Sequence, residues 1–175
     1  MISREKTQHV AQGEFGVSAD PEMLLTTILG SCVSVCLWDS QARLGGMNHI
    51  LLPGGGGTDL YEAAVGANAM ELLINGMLKA GARRDCLEAK IFGGARMIAA
   101  RSDIGARNGA FVTEFLEREN IPLKGQSLGG TQGRRVQFWP ESGRARQMLI
   151  AKFEEPTTPT PAPVLASAED DLELF

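Results

Sequence analysis

Residues 24–29 are apolar apart from two threonines, and Gly30-Ser31 then interrupts them, a pattern that predicts a buried strand closed by a tight turn. From Cys32 to Trp38 the side chains alternate, with Val33, Val35 and Leu37 on one face and Cys32, Ser34, Cys36 and Trp38 on the other. This predicts a second strand whose first residue stands just past the turn. Residues 39–46 carry turn chemistry, and 47–52, ending at Pro53, read as a third strand with His49 inside it. The glycines at 54–57 have no side chains to pack and predict a mobile loop beside that strand.

The period then changes. Thr58 and Asp59 can cap a helix, with Glu62 three residues after Asp59, and Leu60, Ala63, Ala67, Met70, Ile74, Met77 and Leu78 recur at helical spacing as far as Gly81. Residues 87–92 read as a strand running into Gly93-Gly94. A second helix is expected over 106–119, with Ala106, Ala110, Phe111, Phe115 and Leu116 available for one face. Residues 134–139 and 144–153 flank Pro140-Glu141-Ser142-Gly143, a hairpin signal for a terminal antiparallel pair. The class is α+β. From residue 154 the composition turns to Pro, Thr and Ala, which buries too little apolar surface to offset ordering entropy. The expected organisation is one domain over 1–153 and a disordered Pro-rich linker with an acidic, apolar C-terminal tail over 154–175. The tail, with Leu172, Leu174 and Phe175 among acidic residues, reads either as a frayed terminus or as a short docking peptide.

Composition narrows the classes. The 175 residues are 43% apolar, enough for a single core, and the net charge of -4 supplies no broad basic field for nucleic acid. No run of eighteen apolar residues occurs, and residues 1–10 lack the apolar core of a signal peptide, so no membrane insertion and a cytoplasmic location are expected. Cys32, Cys36 and Cys86 leave an odd thiol under any pairing, which fits reduced cysteines.

A thiol directly after a strand and a Gly-Ser turn is exposed at a sheet end, where neighbouring backbone N–H groups can face an oxyanion. It needs an imidazole to become a thiolate near neutral pH. His9 lies in the polar N-terminal stretch, whereas His49 follows Cys32 by seventeen residues on a neighbouring strand, where an antiparallel return brings the two together. By pattern alone Cys32 also reads as a small core residue, and His49 as a core histidine bonded to a carbonyl. Cys36 shares the face of Cys32 and reads as packing. Zinc on Cys32, Cys36 and His49 would lack a fourth ligand, and the glycine run has no following Lys-Ser/Thr to make a phosphate loop. Arg96, Arg107, Arg134 and Arg135 read either as a local basic patch or as solvated surface charge.

At Leu29-Gly30-Ser31-Cys32-Val33 and Gly45-Gly46-Met47-Asn48-His49-Ile50-Leu51-Leu52-Pro53 the chain resembles the bacterial chemoreceptor glutamine deamidase family, CheD. The likeness continues through Leu87-Glu88-Ala89-Lys90-Ile91-Phe92-Gly93-Gly94-Ala95, Ile104-Gly105-Ala106-Arg107-Asn108, Gly129-Gly130 and Arg134-Arg135-Val136, up to about Phe153. The resemblance implies mixed β-sheets packed with flanking helices, similar to the catalytic domains of glutamine-deamidating toxins. It implies hydrolysis of glutamine side chains to glutamate on chemoreceptor cytoplasmic domains, with Cys32 as nucleophile, His49 as acid/base and Thr26, six positions before the cysteine, as orienting residue. Thr27 lies on the opposite strand face, so only one of the two threonines can reach the site. No metal or organic cofactor is implied, and a CheC-type chemotaxis phosphatase is an expected partner. A non-enzymatic adaptor role and receptor methyl-ester hydrolysis are the alternatives that the same likeness carries.

Overall fold

The structure, a computed structural model, describes residues 5–53, 59–97 and 103–151. The glycine run at 54–57, the cap at Thr58, and the linker and tail expected beyond 153 lie outside the described residues. In chain order the elements are β1 (Lys6–His9), β2 (Phe15–Ser18), β3 (Met23–Leu29), β4 (Val33–Asp39), β5 (Leu44–Asn48), α1 (Asp59–Lys79), a single 3-10 turn (Arg84–Cys86), β6 (Leu87–Gly93), α2 (Ile104–Arg118), β7 (Leu123–Leu128), β8 (Gly133–Trp139) and β9 (Arg144–Ile150).

The strands form two mixed sheets. One has the order β1-β3-β8-β9 and the other β2-β5-β4-β6-β7, with parallel pairing only between β1 and β3 and between β6 and β7. Alternation on β4 explains why there are three layers. Val33, Val35 and Leu37 face α1 and α2, joining Met70, Leu73, Ile74, Met77, Val112, Phe115 and Leu116 in one core. Cys32 and Cys36 face the other way, joining Leu25, Leu29, Met47, Phe92, Val136 and Phe138 between the sheets. Each fully buried Leu or Met contributes about 1.5–3 kcal/mol relative to exposure, so both faces of β4 carry stability.

The two helices, the strands over β3, β4, β6, β8 and β9 and the terminal hairpin stand within a few residues of their predicted places. The hairpin turn closes on Gly143 at φ 72°, where its N–H donates to the Trp139 carbonyl over 2.9 Å. Leu60 does not join the core: it is 83% exposed, and the buried stripe of α1 is Glu62, Gly66, Met70, Leu73, Ile74 and Met77. Glu62 is buried there because Arg107 of α2 pairs with it.

β5 differs most from expectation. It begins at Leu44 and ends at Asn48, so His49 stands just past the strand rather than inside it. Gly45 and Gly46, read as turn residues, are strand residues at close approaches. A Cβ on Gly45 would sit 2.6 Å from the Pro140 carbonyl oxygen, and one on Gly46 would sit 2.9 Å from the Gly16 carbonyl oxygen. Beyond Asn48 the backbone leaves the ladder: His49 N–H donates to the Glu14 carbonyl (3.2 Å) and its carbonyl accepts from Gly13 (2.9 Å). The turn between β1 and β2 therefore holds the main chain of His49.

Candidate active site

The nucleophile candidate stands between β3 and β4 in a turn tied to the loop after β6. The Cys32 carbonyl accepts from Gly94 N–H (2.8 Å) and the Gly30 carbonyl from Ala95 N–H (3.0 Å). This approach is possible because Gly93 and Gly94 adopt φ of 118° and 66°, and a side chain on Gly93 would collide with the Cys32 carbonyl. Past the turn, Val33 and Ile50 exchange both backbone bonds, at 3.0 and 2.7 Å. With Cys36 opposite Met47, the register sets Ser34 across from His49 and makes Cys32 a diagonal neighbour of His49. Both side chains enter the layer between the sheets: Cys32 packs with Leu25 and Leu29 of β3, and His49 bonds Thr27 of the same strand. Each is 8% exposed. The Cys32 thiol also faces the carboxamide of Gln12, with Sγ 4.0 Å from Oε1.

Local hydrogen bonding determines the tautomer of His49. The Thr27 hydroxyl has one proton, and it donates it to the Val10 carbonyl over 2.7 Å. Toward His49 Nδ1, 2.9 Å away, Thr27 Oγ1 can then only accept. Nδ1 also lies 3.3 Å from the Val10 carbonyl, which can only accept as well. Both contacts require the proton on Nδ1, which leaves Nε2 with its lone pair as the basic nitrogen. Desolvation by burial is the main influence on the ring and holds its pKa below the ordinary histidine value; the bond to Val10 opposes this and the charge of His9 adds to it. A neutral imidazole with Nε2 available is the form a general base requires.

The two threonines of β3 point to opposite sides, and only Thr27 lies beside His49. Thr26 lies on the opposite face of β3, where its hydroxyl donates to the Val136 carbonyl over 3.0 Å. Thr27, fully buried, is the residue beside His49. Strand alternation allowed only one of the pair to reach the site, and Leu25, Thr27 and Leu29 are the inward set. Cys36 is fully buried on β4, and burial pushes its thiol up to about 12. Burial, then the carboxylate of Asp85, also raises the Cys86 thiol. Among the described residues no three His, Cys, Asp or Glu side chains are grouped to hold a metal ion.

Three further residues matter. Arg134 is neither patch nor surface charge: it is 3% exposed, and its guanidinium donates to the Ser127 and Gly129 carbonyls. Of the backbone N–H groups next to Cys32, that of Val33 is already committed to the Ile50 carbonyl. Asn108, buried in α2, touches both sides of the site: its Oδ1 accepts from Leu52 N–H (2.9 Å) and its Nδ2 donates to the Ser31 carbonyl (2.8 Å). Periodicity could not find Asn108, since a polar residue on an apolar helix face is read as a fault in the pattern; the motif Ile104-Gly105-Ala106-Arg107-Asn108 was its only signal. Beside Ser31 a groove of about 920 Å³ opens between α2 and the loops at 94–97 and 128–131, with small residues such as Gly94, Ala95, Gly105 and Gly109 along it.

Comparison with known proteins agrees with the motif likeness. The family described as "CheD chemotactic sensory transduction" matches residues 51–148. A Caulobacter vibrioides (strain NA1000 / CB15N) protein named "Probable chemoreceptor glutamine deamidase CheD" is 52% identical over 172 residues, covering 95% of this chain and 92% of the relative. Proteins of the same name from Agrobacterium fabrum and Rhizobium meliloti are 50% and 51% identical, covering 100% and 95% of this chain and 99% and 94% of the relatives. Among solved structures, the Bacillus licheniformis hypothetical protein YfiH aligns with a TM-score of 0.43 at 13% identity, over 71% of this chain and 60% of that one. With half of its residues identical to those relatives along nearly its whole length, and with the family's own pattern matched from Leu51 to Met148, this chain belongs to the CheD family.

Proposed function

We propose that this protein hydrolyses the carboxamides of glutamine side chains on the cytoplasmic domains of chemoreceptors, with Cys32 as nucleophile, His49 as acid/base and Thr27 as the residue that orients the imidazole. The observation that carries the reading is the pair of acceptors, Thr27 Oγ1 and the Val10 carbonyl, on Nδ1 of His49. They commit the ring to the tautomer whose Nε2 can take a proton from a thiol in the same inter-sheet layer. The names of the relatives supply the substrate class.

In this mechanism Nε2 takes the Cys32 proton and the thiolate adds to the glutamine Cδ, converting the C=O to an oxyanion. Collapse breaks the C–N bond as the imidazolium gives its proton to the leaving nitrogen, and ammonia departs. The same imidazole then takes a proton from water as it attacks the thioester, and the sulfur leaves with that proton to regenerate the thiol beside a new glutamate. Ammonia release from a receptor cytoplasmic fragment is the direct assay. Wild-type protein should release it and Cys32→Ala should not, while Cys32→Ala still binds the fragment. Binding by both without ammonia from either would identify an adaptor instead.

A further inference from the structure

The β4–β5 ladder is interrupted on both sides of His49. With Val33 opposite Ile50, the residue sums of the register place Val35 against Asn48 and Ser31 against Leu52 as the flanking hydrogen-bonded pairs. At the first of these, Val35 N–H donates to the side-chain Oδ1 of Asn48 over 3.0 Å. At the second, continuing the ladder would join Leu52 N–H directly to the Ser31 carbonyl. Instead the carboxamide of Asn108 stands between them, accepting from Leu52 and donating to Ser31. A primary carboxamide offers an acceptor and a donor on neighbouring atoms, so it can replace one rung with two and hold the strands farther apart than direct pairing would.

We propose that Asn108 is a positioning residue for the reaction: a wedge from α2 that holds the ends of β4 and β5 apart one residue beyond Cys32, while the direct Val33–Ile50 pair keeps the strands together between Cys32 and His49. Cys32 follows Ser31 by one residue and His49 precedes Leu52 by three, so the width of this gap sets the approach of the thiol to the imidazole. Asn108 is itself fixed, because Gly105, one turn earlier in α2, lets the helix press on the Gly94 and Ala95 carbonyls, and the N–H groups of those residues hold Cys32 and Gly30. α2 therefore braces the nucleophile turn twice, once through the loop at 93–95 and once through the wedge. Full burial of the side chain fits this role, since an unpaired carboxamide would be costly there.

The inference rests on the reading of Cys32 and His49 as a reacting pair, and its test separates the two. Asn108→Ala and Asn108→Asp are compared with wild type by kcat and KM on a receptor fragment, by the pH profile of Cys32 alkylation with iodoacetamide, and by urea unfolding. Removing the wedge lets Leu52 pair directly with Ser31. In Asn108→Ala, kcat should fall about 10–100-fold with KM nearly unchanged, and the alkylation profile should move to higher pH, because misplacement of about an ångström has effects of that order. In Asn108→Asp the new carboxyl has the same shape but donates to Ser31 only when protonated, so its kcat relative to wild type should recover as pH is lowered. The proposal is overturned if folded variants keep the wild-type kcat and alkylation profile, or if only KM changes. Should Asn108→Ala not fold, Asn108→Asp decides: without recovery at lower pH the wedge is rejected. A shifted alkylation profile in the variants, with no deamidation by wild type, would support the wedge and reject the deamidase reading.

Discussion

At the scale of single residues, the two adjacent threonines make the sharpest comparison. Thr27→Val removes the nearer of the two acceptors for Nδ1–H while leaving Cys32 and His49 in place, and activity should fall about 10–100-fold, as for other partners that orient a working imidazole. Thr26→Val removes only a bond to the Val136 carbonyl, costing about 1 kcal/mol of stability with activity nearly intact. Steady-state kinetics of the two variants checks this, and the reverse ranking would return the role to Thr26. His49 also predicts a pH dependence of stability. Its folded pKa is depressed by burial, so the unfolded chain, titrating near about 6.5, binds the proton first as pH falls. The contribution is whole above that value and declines below it. Between about pH 7 and 5 the urea midpoint of wild type should fall more steeply than that of His49→Gln.

At the scale of elements, alternation and period explain what was legible. Alternation from Cys32 to Trp38 puts Cys32, Ser34, Cys36 and Trp38 on one face, and the structure has Cys32, Cys36 and Trp38 in the core between the sheets, because a buried strand has no freedom to turn its faces. β1, β2 and β7 leave little trace in the apolar pattern of the sequence. All four residues of β1 are exposed, and the Leu-Lys-Gly-Gln-Ser-Leu of β7 has little apolar pattern; β1, β2 and β7 are outer strands of their sheets, and β2 and β7 add only the half-buried Val17, Leu123 and Leu128 to the helical core. The start of β5 is hidden in the sequence because its glycines serve contact, not turning. Thr27 was legible only as one of a pair, and Asn108 only as part of a motif, since both act through partners distant in sequence. The loop after β6 yields a prediction of its own. Gly93→Ala forces a side chain into φ 118° and against the Cys32 carbonyl. It should destabilise the fold by about 1–3 kcal/mol and slow Cys32 alkylation, measured by urea unfolding and iodoacetamide labelling.

At the scale of the whole molecule, three layers divide the work. The helices and the apolar face of the five-stranded sheet supply most of the core, while the layer between the sheets contains the thiol, the imidazole and the threonine. Among the described residues, every member of both cores lies between Val10 and Ala145. Truncation after Phe153 should therefore leave the urea midpoint and the ammonia-releasing activity at wild-type levels, and loss of either would show that residues 154–175 contribute to the domain. The central claim is tested most directly by intact-mass and peptide analysis of a chemoreceptor cytoplasmic fragment incubated with reduced protein. Replacing a glutamine NH2 by OH adds about one dalton per site, so wild type should produce that gain at defined glutamines and Cys32→Ser, folded but without an accessible thiolate, should produce none. No mass gain with wild type across several receptor fragments, or an equal gain with Cys32→Ser, would contradict it.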